Sequence, residues 1–239
     1  MLRLLLGSLL LLSLAACGGE EVCTGETPAR YQPDLSATPA VKLTLVRFDQ
    51  ILRGLDTLQL EAEAEKLKAT HAEFAPLFLK NIIAPSRAGG DAETLREFLS
   101  FPDTRPLLDT IQQVFPDFDA YQKDIERVLQ LRQYYFPTDT QRIDTLYTFA
   151  SLYNYGYGTF ENHLVVGLDY FLGEQHLIYT YIPNLAPQYI RRTLTPAHLT
   201  RSVAYALASD LVERHARRSG NKMIDYMLYE GKKLYLTSI

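Results

Sequence analysis

The sequence predicts an α+β domain, mostly helical with a small β-sheet. The middle of the chain repeats apolar residues at helical spacing, whereas a few short segments carry the β-branched and aromatic residues typical of strands. Hydrophobic residues make up 47% of the chain and charged residues only 22%, which is the composition of a globular protein. We therefore expect one domain of roughly 200 residues.

Residues 1–16 are predicted to form a signal peptide. Arg3 precedes an apolar run that ends at Leu14, which is shorter than the roughly 20 residues needed to span a bilayer. The small residues before Cys17 resemble a bacterial lipobox, in which the cysteine is acylated, with palmitate among the acyl groups. We expect Cys17 to anchor the protein to a membrane, and residues 17–40 to form a flexible tether. The alternative is an ordinary signal peptide that contains a cysteine.

The charge balance argues against nucleic acid as a partner. The chain has 28 acidic and 24 basic residues, for a formal net charge of −4, and it has no basic cluster. Cys23 is the only cysteine besides Cys17. Because both precede the predicted domain, we expect no disulfide bond within that domain.

Residues 41–239 are predicted to form the single domain, which begins with a strand and continues with helices. Val41–Val46 alternates as a strand does, and Gln50 begins a short helical segment. Asp119–Tyr134 has the clearest amphipathic pattern, so we expect its apolar face to be buried. That face consists of Tyr121, Ile125, Val128 and Leu129. Further helices are predicted over Leu60–Thr70, Glu73–Ile83 and Asp91–Leu99.

Two strands are predicted on either side of a segment rich in Tyr and Gly. Ile143–Leu152 and His163–Leu168 carry β-branched and aromatic residues. Between them, Asn154, Gly156 and Gly158 tolerate positive φ at low cost. We therefore expect this segment to be the loop of a hairpin that joins the two strands.

Two further helices are predicted near the C-terminus. Thr195 and Pro196 are typical of a helix start, and this helix is expected to run through Arg218. Asn221 begins a last helix whose apolar residues repeat at helical spacing. These residues are Met223, Ile224, Met227, Leu228, Gly231, Leu234 and Tyr235. The sequence ends at Ile239 without a polar tail, so we expect the protein to be truncated there.

The sequence contains no recognisable catalytic motif. No serine lies in a Gly-x-Ser-x-Gly context, and the five histidines include no pair at i, i+4 and no His-Glu-x-x-His. The best cluster of potential metal ligands is Glu161, His163 and Asp169, because strand alternation would place Glu161 and His163 on one face. We expect a solvated polar edge there instead, with no catalytic residue, no bound metal and no cofactor.

Several separate motifs resemble the gliding motility lipoprotein GldB family of the Bacteroidota, in the same order and with similar spacings from about Val41 to the end of the chain. They are "VRFDQIL", "RQYYFPTD", "YNYGYGTFENHLVVGLDYFLG", "PQYIRRTLTP" and "MIDYMLYEGKKLYL". The resemblance implies a lipoprotein of the cell envelope, on the periplasmic side or the outer-membrane face. It also implies that envelope proteins of the gliding motility and type IX secretion machinery are the partners.

The GldB family is in turn similar to predicted zinc peptidases that carry His-Glu-x-x-His on one helix and a Glu-Gly pair on the next. This chain keeps the pair as Glu230-Gly231 but has "SVAYALASDLVER" in the preceding helix. The residues at the expected ligand positions are Val203, Ala204, Tyr205, Ala206, Leu207 and Ala208. None of these side chains binds zinc, and an activated water requires three protein ligands. The resemblance therefore implies a degenerate zincin-like fold without peptidase activity.

In zincins the edge strand beside the active-site helix pairs with extended peptide. We therefore expect the Tyr/Gly segment to border a groove for a protein partner. Its predicted contact residues are Tyr153, Asn154, Tyr155, Gly156, Tyr157 and Gly158. Two other functions are alternatives: a divergent metal-dependent hydrolase, or a glycan-binding lipoprotein that uses the Tyr-rich segment. The hydrolase would take its ligands from Glu161, His163, Asp169 and Glu230.

Overall fold

The computed structural model describes residues 33–83, 90–176, 186–215, 220 and 222–237. The chain divides into two compact units, Met1–Asp34 and Leu35–Ile239, and the fold presented below is that of the second unit. The predicted signal peptide, the acylation site Cys17 and residues 17–32 of the tether lie outside the described residues. Within the described ranges, no helix has both the length and the apolar character needed to cross a membrane.

The described residues form an α+β fold of nine helices and one four-stranded sheet, which confirms the predicted class. The strands are β1 (Thr44–Arg47), β2 (Thr145–Phe149), β3 (Tyr157–Phe160) and β4 (His163–Gly167). The helices are α1 (Phe48–Gly54), α2 (Leu60–Thr70), α3 (Phe74–Leu77), α4 (Asp91–Ser100), α5 (Thr104–Val114), α6 (Asp119–Tyr135), α7 (Gln188–Arg191), α8 (Leu199–His215) and α9 (Met223–Thr237). A π-helical turn, Phe78–Ile82, continues α3. The finer resemblance to zincins stays a prediction.

The sheet is mixed, with strand order β1-β2-β4-β3. β1, β2 and β4 run parallel, so that Thr145 lies opposite both Thr44 and His163, whereas β3 is antiparallel to β4. Every residue of β4 and nearly every residue of β2 is buried, as expected for parallel strands covered on both faces. The carboxyl ends of the three parallel strands therefore meet at one edge of the sheet.

The predicted hairpin between the first and second strands of this region is wrong. β2 and β4 are parallel, and two parallel neighbours cannot be joined by a tight turn. The Tyr/Gly segment instead leads from β2 into β3, and the hairpin is formed by β3 and β4 around a turn at Glu161 and Asn162. The sequence did not predict β3, because Gly158 lies within it and glycine weakens a strand.

Aromatic side chains form the centre of the core between β2 and the helices that precede it. Phe74 stacks on Tyr147 with ring centroids 4.2 Å apart, and Phe48 meets Phe74 edge to face at 5.0 Å. Phe78 and Phe149 complete this group, and both are fully buried. Such aromatic pairs stabilise a core by about 0.5–1.5 kcal/mol each beyond the area that they bury.

Helix α6 confirms the most amphipathic of the predicted helices and also contacts the chain just before β1. Ile125 and Leu129 are buried as expected. Glu126 accepts a hydrogen bond from the backbone N–H of Leu43 (3.0 Å), and Gln122 donates one to the backbone carbonyl of Leu43 (2.9 Å). These two side chains therefore bind the backbone groups of Leu43, directly before the edge strand β1, and keep them from pairing with another chain.

Helices α8 and α9 match the two predicted C-terminal helices. A 3₁₀ turn, Pro196–His198, leads into α8, and the Thr195 side chain contacts His198 Nδ1 (2.8 Å) rather than a backbone N–H of the helix. The described part of α8 ends at His215, so the predicted end at Arg218 lies outside the described residues. α8 packs against β3, α6 and α9.

Candidate functional site

The loop that follows β2 is built around one buried carboxylate, Asp169. This residue follows β4 at the carboxyl edge of the sheet and is 1% exposed. Its Oδ2 accepts hydrogen bonds from the backbone N–H groups of Ser151 (3.0 Å) and Tyr153 (2.7 Å), and from the Ser151 hydroxyl (3.3 Å). The loop therefore takes its shape from a residue that lies 16 to 18 positions further along the chain.

Two residues of this loop have left-handed backbone conformations. Leu152 has φ 55° and Tyr153 has φ 63°, although neither is glycine. Such conformations cost about 1–3 kcal/mol each and cluster at functional sites. The hydrogen bonds to Asp169 and the hydroxyl of Tyr170, which donates to the carbonyl of Tyr153 (2.5 Å), maintain them. The positive φ angles therefore fall on Leu152 and Tyr153, not on the asparagine and glycines for which they were predicted.

The environment of Asp169 favours its protonated form. Burial raises the pKa of its carboxyl group to about 6, although the N–H groups of Tyr153 and Ser151 oppose this shift. The second carboxylate oxygen, Oδ1, is buried and has no hydrogen-bond partner among the described residues. A proton on Oδ1 would therefore remove from the interior a charge that only the hydrogen bonds to Oδ2 stabilise.

The tyrosines and glycines of the predicted partner contact pack largely against one another. Tyr153 is buried, and its hydroxyl lies 3.0 Å from His176 Nδ1. Tyr155 is 40% exposed, and its hydroxyl lies within 2.5 Å of the position that a Cβ would take at Gly158. Tyr157 is half-buried against Phe171. The room left by the glycines is thus used by neighbouring aromatic rings, and the proposed role in partner binding stays a prediction.

The four potential metal ligands are distributed over separate parts of the fold. His163 begins β4 and Asp169 follows its end, so these two lie at opposite edges of the sheet. Glu161 lies in the β3–β4 turn with φ 50°, not on a strand, so the expectation that it shares a face with His163 is wrong. Glu230 belongs to α9. Among the described residues, no group of three His, Cys, Asp or Glu side chains could bind a metal ion.

His163 has partners of a different kind from those expected of a metal ligand. The ring is 9% exposed, and its Nε2 contacts the carboxylate of Glu73. Its Nδ1 lies 3.8 Å from Asp144 Oδ1. Tyr147 meets the ring edge to face, with centroids 5.4 Å apart. His163 is therefore a packed residue between two exposed carboxylates at the amino edge of the parallel strands.

Helix α9 contacts the rest of the protein through several polar side chains and Leu236. Lys233 is buried and donates to Glu230 (3.2 Å), which also accepts a hydrogen bond from the Tyr205 hydroxyl of α8 (3.2 Å). Tyr229 donates to Glu213 of α8 (3.3 Å). The apolar side is exposed by 49 to 79%, and we call it the α9 apolar face. It consists of Met223, Ile224, Tyr226, Met227, Leu228, Leu234 and Tyr235.

The sequence predicted the apolar stripe of α9, but not that this stripe is exposed rather than buried against the protein. Seven of the thirteen exposed large hydrophobic residues of the described chain lie on this one helix. The partners that turn the helix, Tyr205 and Glu213, lie in the preceding helix, where no periodicity marks them. The α9 apolar face is therefore the candidate functional surface that sequence reasoning missed.

Comparison with known proteins identifies the family. No curated protein and no solved structure matches the chain. The family model described as gliding motility protein GldB matches residues 28–239, which include all of the described fold. This match covers far more than half of the 239 residues, so the chain belongs to the GldB family of gliding motility lipoproteins.

Proposed function

We propose that this chain is a non-catalytic, lipid-anchored component of the gliding motility and type IX secretion machinery of the cell envelope. Family membership supports the link to gliding motility. The lipobox-like segment ending at Cys17 supports the lipid anchor. The function is to bind other envelope proteins rather than to transform a substrate.

Three features support a non-catalytic role. Val203 and Leu207 are buried in α8 at positions where a zincin-like enzyme would carry zinc ligands. Glu230 is engaged with Tyr205 and Lys233, so it serves the packing of α9 on α8. The remaining acids and histidines considered as ligands are distributed between two edges of the sheet.

The α9 apolar face is the observation on which the binding function rests. A helix that exposes Met, Leu and Tyr at helical spacing can insert into an apolar groove of another protein. Methionine suits such a contact, because its flexible side chain adapts to irregular surfaces.

The charges around this face favour a protein groove over a lipid surface. Helices that lie on anionic membranes are rich in Lys and Arg on their polar side. α9 instead combines Asp225 and Glu230 with Lys232 and Lys233, and the whole chain has a net charge of −4. The occupant that we propose is therefore a protein with an apolar groove.

The test is a pull-down from chemically crosslinked envelopes of the native host. Met227→Gln/Leu228→Gln removes two residues of the α9 apolar face that are 62% and 59% exposed. The matched control, Leu58→Gln/Phe101→Gln, removes two exposed apolar residues elsewhere, 91% and 50% exposed. We expect wild type and control to recover gliding or secretion components that the α9 variant loses.

Other outcomes would overturn the proposal in distinguishable ways. Equal recovery by all three proteins would exclude α9 as the contact. Recovery of the same chain alone would indicate self-association, and α9-dependent flotation with lipid vesicles would indicate a membrane contact. Stoichiometric zinc together with a hydrolytic activity that His163→Ala abolishes would replace the non-catalytic role by the hydrolase.

A second arm of the pull-down tests the Tyr/Gly loop. Tyr155→Ala/Tyr157→Ala removes the two least buried of its three tyrosines. Loss of partners in this variant with an unchanged melting temperature would place a contact at the loop. Full recovery would exclude the loop from partner binding.

A further inference from the structure

A cavity of about 340 Å³ lies where α6, α8 and α9 meet. Its wall is mainly apolar, and its residues include Val128, Leu131, Ala204, Leu207, Leu211 and Leu236. A second apolar cavity, of about 220 Å³, shares Leu211, Leu236 and Phe136 with the first. Because they share these residues the two cavities adjoin, and together they are in the size range of sites that take small ligands.

One polar side chain of the cavity wall has unused hydrogen-bonding capacity. Arg132 lines the larger cavity and its side chain is only 8% exposed. Its Nε and Nη2 donate to Asp139, and Nη2 also donates to Gln141 (2.7 Å). Its Nη1 is buried and has no hydrogen-bond partner among the described residues. A buried guanidinium nitrogen without an acceptor is rare, so a ligand oxygen at this point would complete the site.

The charges next to the cavity indicate which chemical group can supply the ligand oxygen. Arg132 and Arg214 are paired with Asp139 and Asp210, through N–O distances of 2.5 to 3.8 Å. These four groups balance one another, while Arg201 in the wall of the larger cavity and Lys232 in that of the smaller one add positive charge, so the head group can be neutral or anionic. The carbonyl oxygen of a carboxylate and that of an ester are both acceptors, so either can accept a hydrogen bond from Arg132 Nη1.

We propose that this space binds one fatty acyl chain, with the carbonyl oxygen of its head group accepting a hydrogen bond from Arg132 Nη1. The mainly apolar wall suits a hydrocarbon chain, and burial of each methylene adds to affinity. The acyl chain can come from a free fatty acid or from a membrane phospholipid, since both carry the same carbonyl and hydrocarbon. Of the α9 apolar face, Tyr235 also lines the smaller cavity, whereas the other six residues of the face line neither cavity.

Photocrosslinking tests this proposal on the full, lipid-anchored chain in nanodiscs. The probes are a palmitic acid analogue with a diazirine in its chain, and a phosphatidylcholine with the same diazirine chain. We expect saturable labelling of peptides from α6, α8 and α9 that unlabelled palmitate suppresses. Labelling by the acid alone would identify free fatty acid as the ligand, and labelling by both would identify lipid acyl chains. Labelling by neither, or spread over the whole surface, overturns the proposal.

A matched pair of α8 variants locates the ligand. Ala204→Phe fills the cavity, whereas Ala206→Phe adds the same ring on the same helix outside the cavity wall. We expect Ala204→Phe to lower the labelling about tenfold and Ala206→Phe to leave it unchanged, with melting temperatures measured for both. Equal labelling of the two variants would contradict binding of the acyl chain in this cavity.

A head-group comparison tests the role of Arg132 without altering the protein. A diazirine alkane of the same length lacks the carbonyl oxygen, and we expect it to bind about tenfold more weakly than the acid, because it leaves Nη1 without an acceptor. Equal affinity would exclude the contact with Arg132.

Discussion

Helices α6 and α9 both pack against α8, yet the exposure of their apolar stripes is opposite. α6 buries Ile125 and Leu129, and its buried charged side chains, Glu126 and Arg132, have partners on other parts of the chain. α9 buries Lys233 and exposes Met227 and Leu228. Both helices have an apolar stripe at helical spacing, so periodicity identifies the stripe in each case. The comparison teaches that the partner groups on neighbouring elements, here Glu213 and Tyr205 of α8, decide whether that stripe turns inward.

The largest effect is expected at the polar contact that joins α6 to α8. Asp139 lies between Arg132 of α6 and Arg214 of α8, and its side chain is 4% exposed. Asp139→Asn leaves the buried Arg132 with only the more distant Asp210 as counter-charge, at 3.8 Å, so we expect a loss of about 3–5 kcal/mol in the free energy of unfolding at pH 7. Urea denaturation measures it, with Asp109→Asn as the control, because Asp109 pairs with Arg53 at a half-exposed site.

The control, Asp109→Asn, should lose about 1 kcal/mol or less of the free energy of unfolding.

The contribution of Asp139 to stability also depends on pH with a definite sign. Burial alone would raise the pKa of Asp139, but the hydrogen bonds from Arg214 and Arg132 hold it well below its usual value. The stability from this carboxylate is therefore present above about pH 3.8 and is lost as the pH falls below it. Equal losses in both variants would contradict a buried ion pair.

A pair of leucines compares the two helices directly. Leu129 of α6 is 4% exposed and Leu228 of α9 is 59% exposed. We expect Leu129→Ala to cost about 2–5 kcal/mol in the free energy of unfolding, because it leaves a cavity. Leu228→Ala should change that quantity by no more than about 0.5 kcal/mol. Comparable losses measured by urea denaturation would mean that α9 is packed inward like α6.

A third comparison asks whether a buried carboxylate away from α8, that of Asp169, behaves as that of Asp139 does. Because burial raises the pKa of Asp169 to about 6, the folded protein binds more protons than the unfolded chain between about pH 3.8 and 6, and its stability falls as the pH rises through this window. Above pH 6 the cost reaches about 3 kcal/mol, from 1.36 kcal/mol per unit of pKa. Asp169→Asn keeps an oxygen for Ser151 and Tyr153 without the charge.

We therefore expect Asp169→Asn to gain stability relative to wild type between pH 4 and pH 7, as measured by thermal unfolding across that range. Asp139→Asn should lose stability relative to wild type over the same range, so the two variants differ in sign. If Asp169→Asn is instead less stable than wild type at pH 7 and not at pH 4, the prediction is wrong. That result would show that the hydrogen bonds from Ser151 and Tyr153 require the ionised carboxylate.

The smallest effects are expected from two glycines. A Cβ at Gly167 would overlap the backbone carbonyl of Tyr155, whereas a Cβ at Gly231 of α9 meets nothing within 4 Å. Gly167→Ala should cost about 1–3 kcal/mol by overpacking. Gly231→Ala should stabilise the protein by about 0.5–1 kcal/mol, because glycine disfavours the helix interior. A loss at Gly231 on thermal unfolding would indicate that this side of α9 is not open.

Local features of the fold could be predicted from the sequence, whereas pairing at a distance could not. The extent of α6 follows from periodicity, which is a property of neighbouring residues. The parallel pairing of β2 with β4 has no local mark, and β3 contains a glycine where a strand would prefer a larger side chain. The same limit applies to the loop after β2. Its left-handed residues, Leu152 and Tyr153, take that conformation because of Asp169, which follows them by 16 or more positions.

The register of β1 on β2 has a consequence for how the chain reaches this fold. Thr44 pairs with Thr145, so two neighbouring strands are separated by about 100 residues of mostly helical sequence. A contact of such high sequence separation carries a large loop-closure entropy and slows folding. We expect α1 to α6 to condense first during folding and the sheet to close only after β2 is available. If synthesis stops before Thr145, the side of β1 that pairs with β2 in the complete fold stays exposed. We expect such a shortened chain to aggregate.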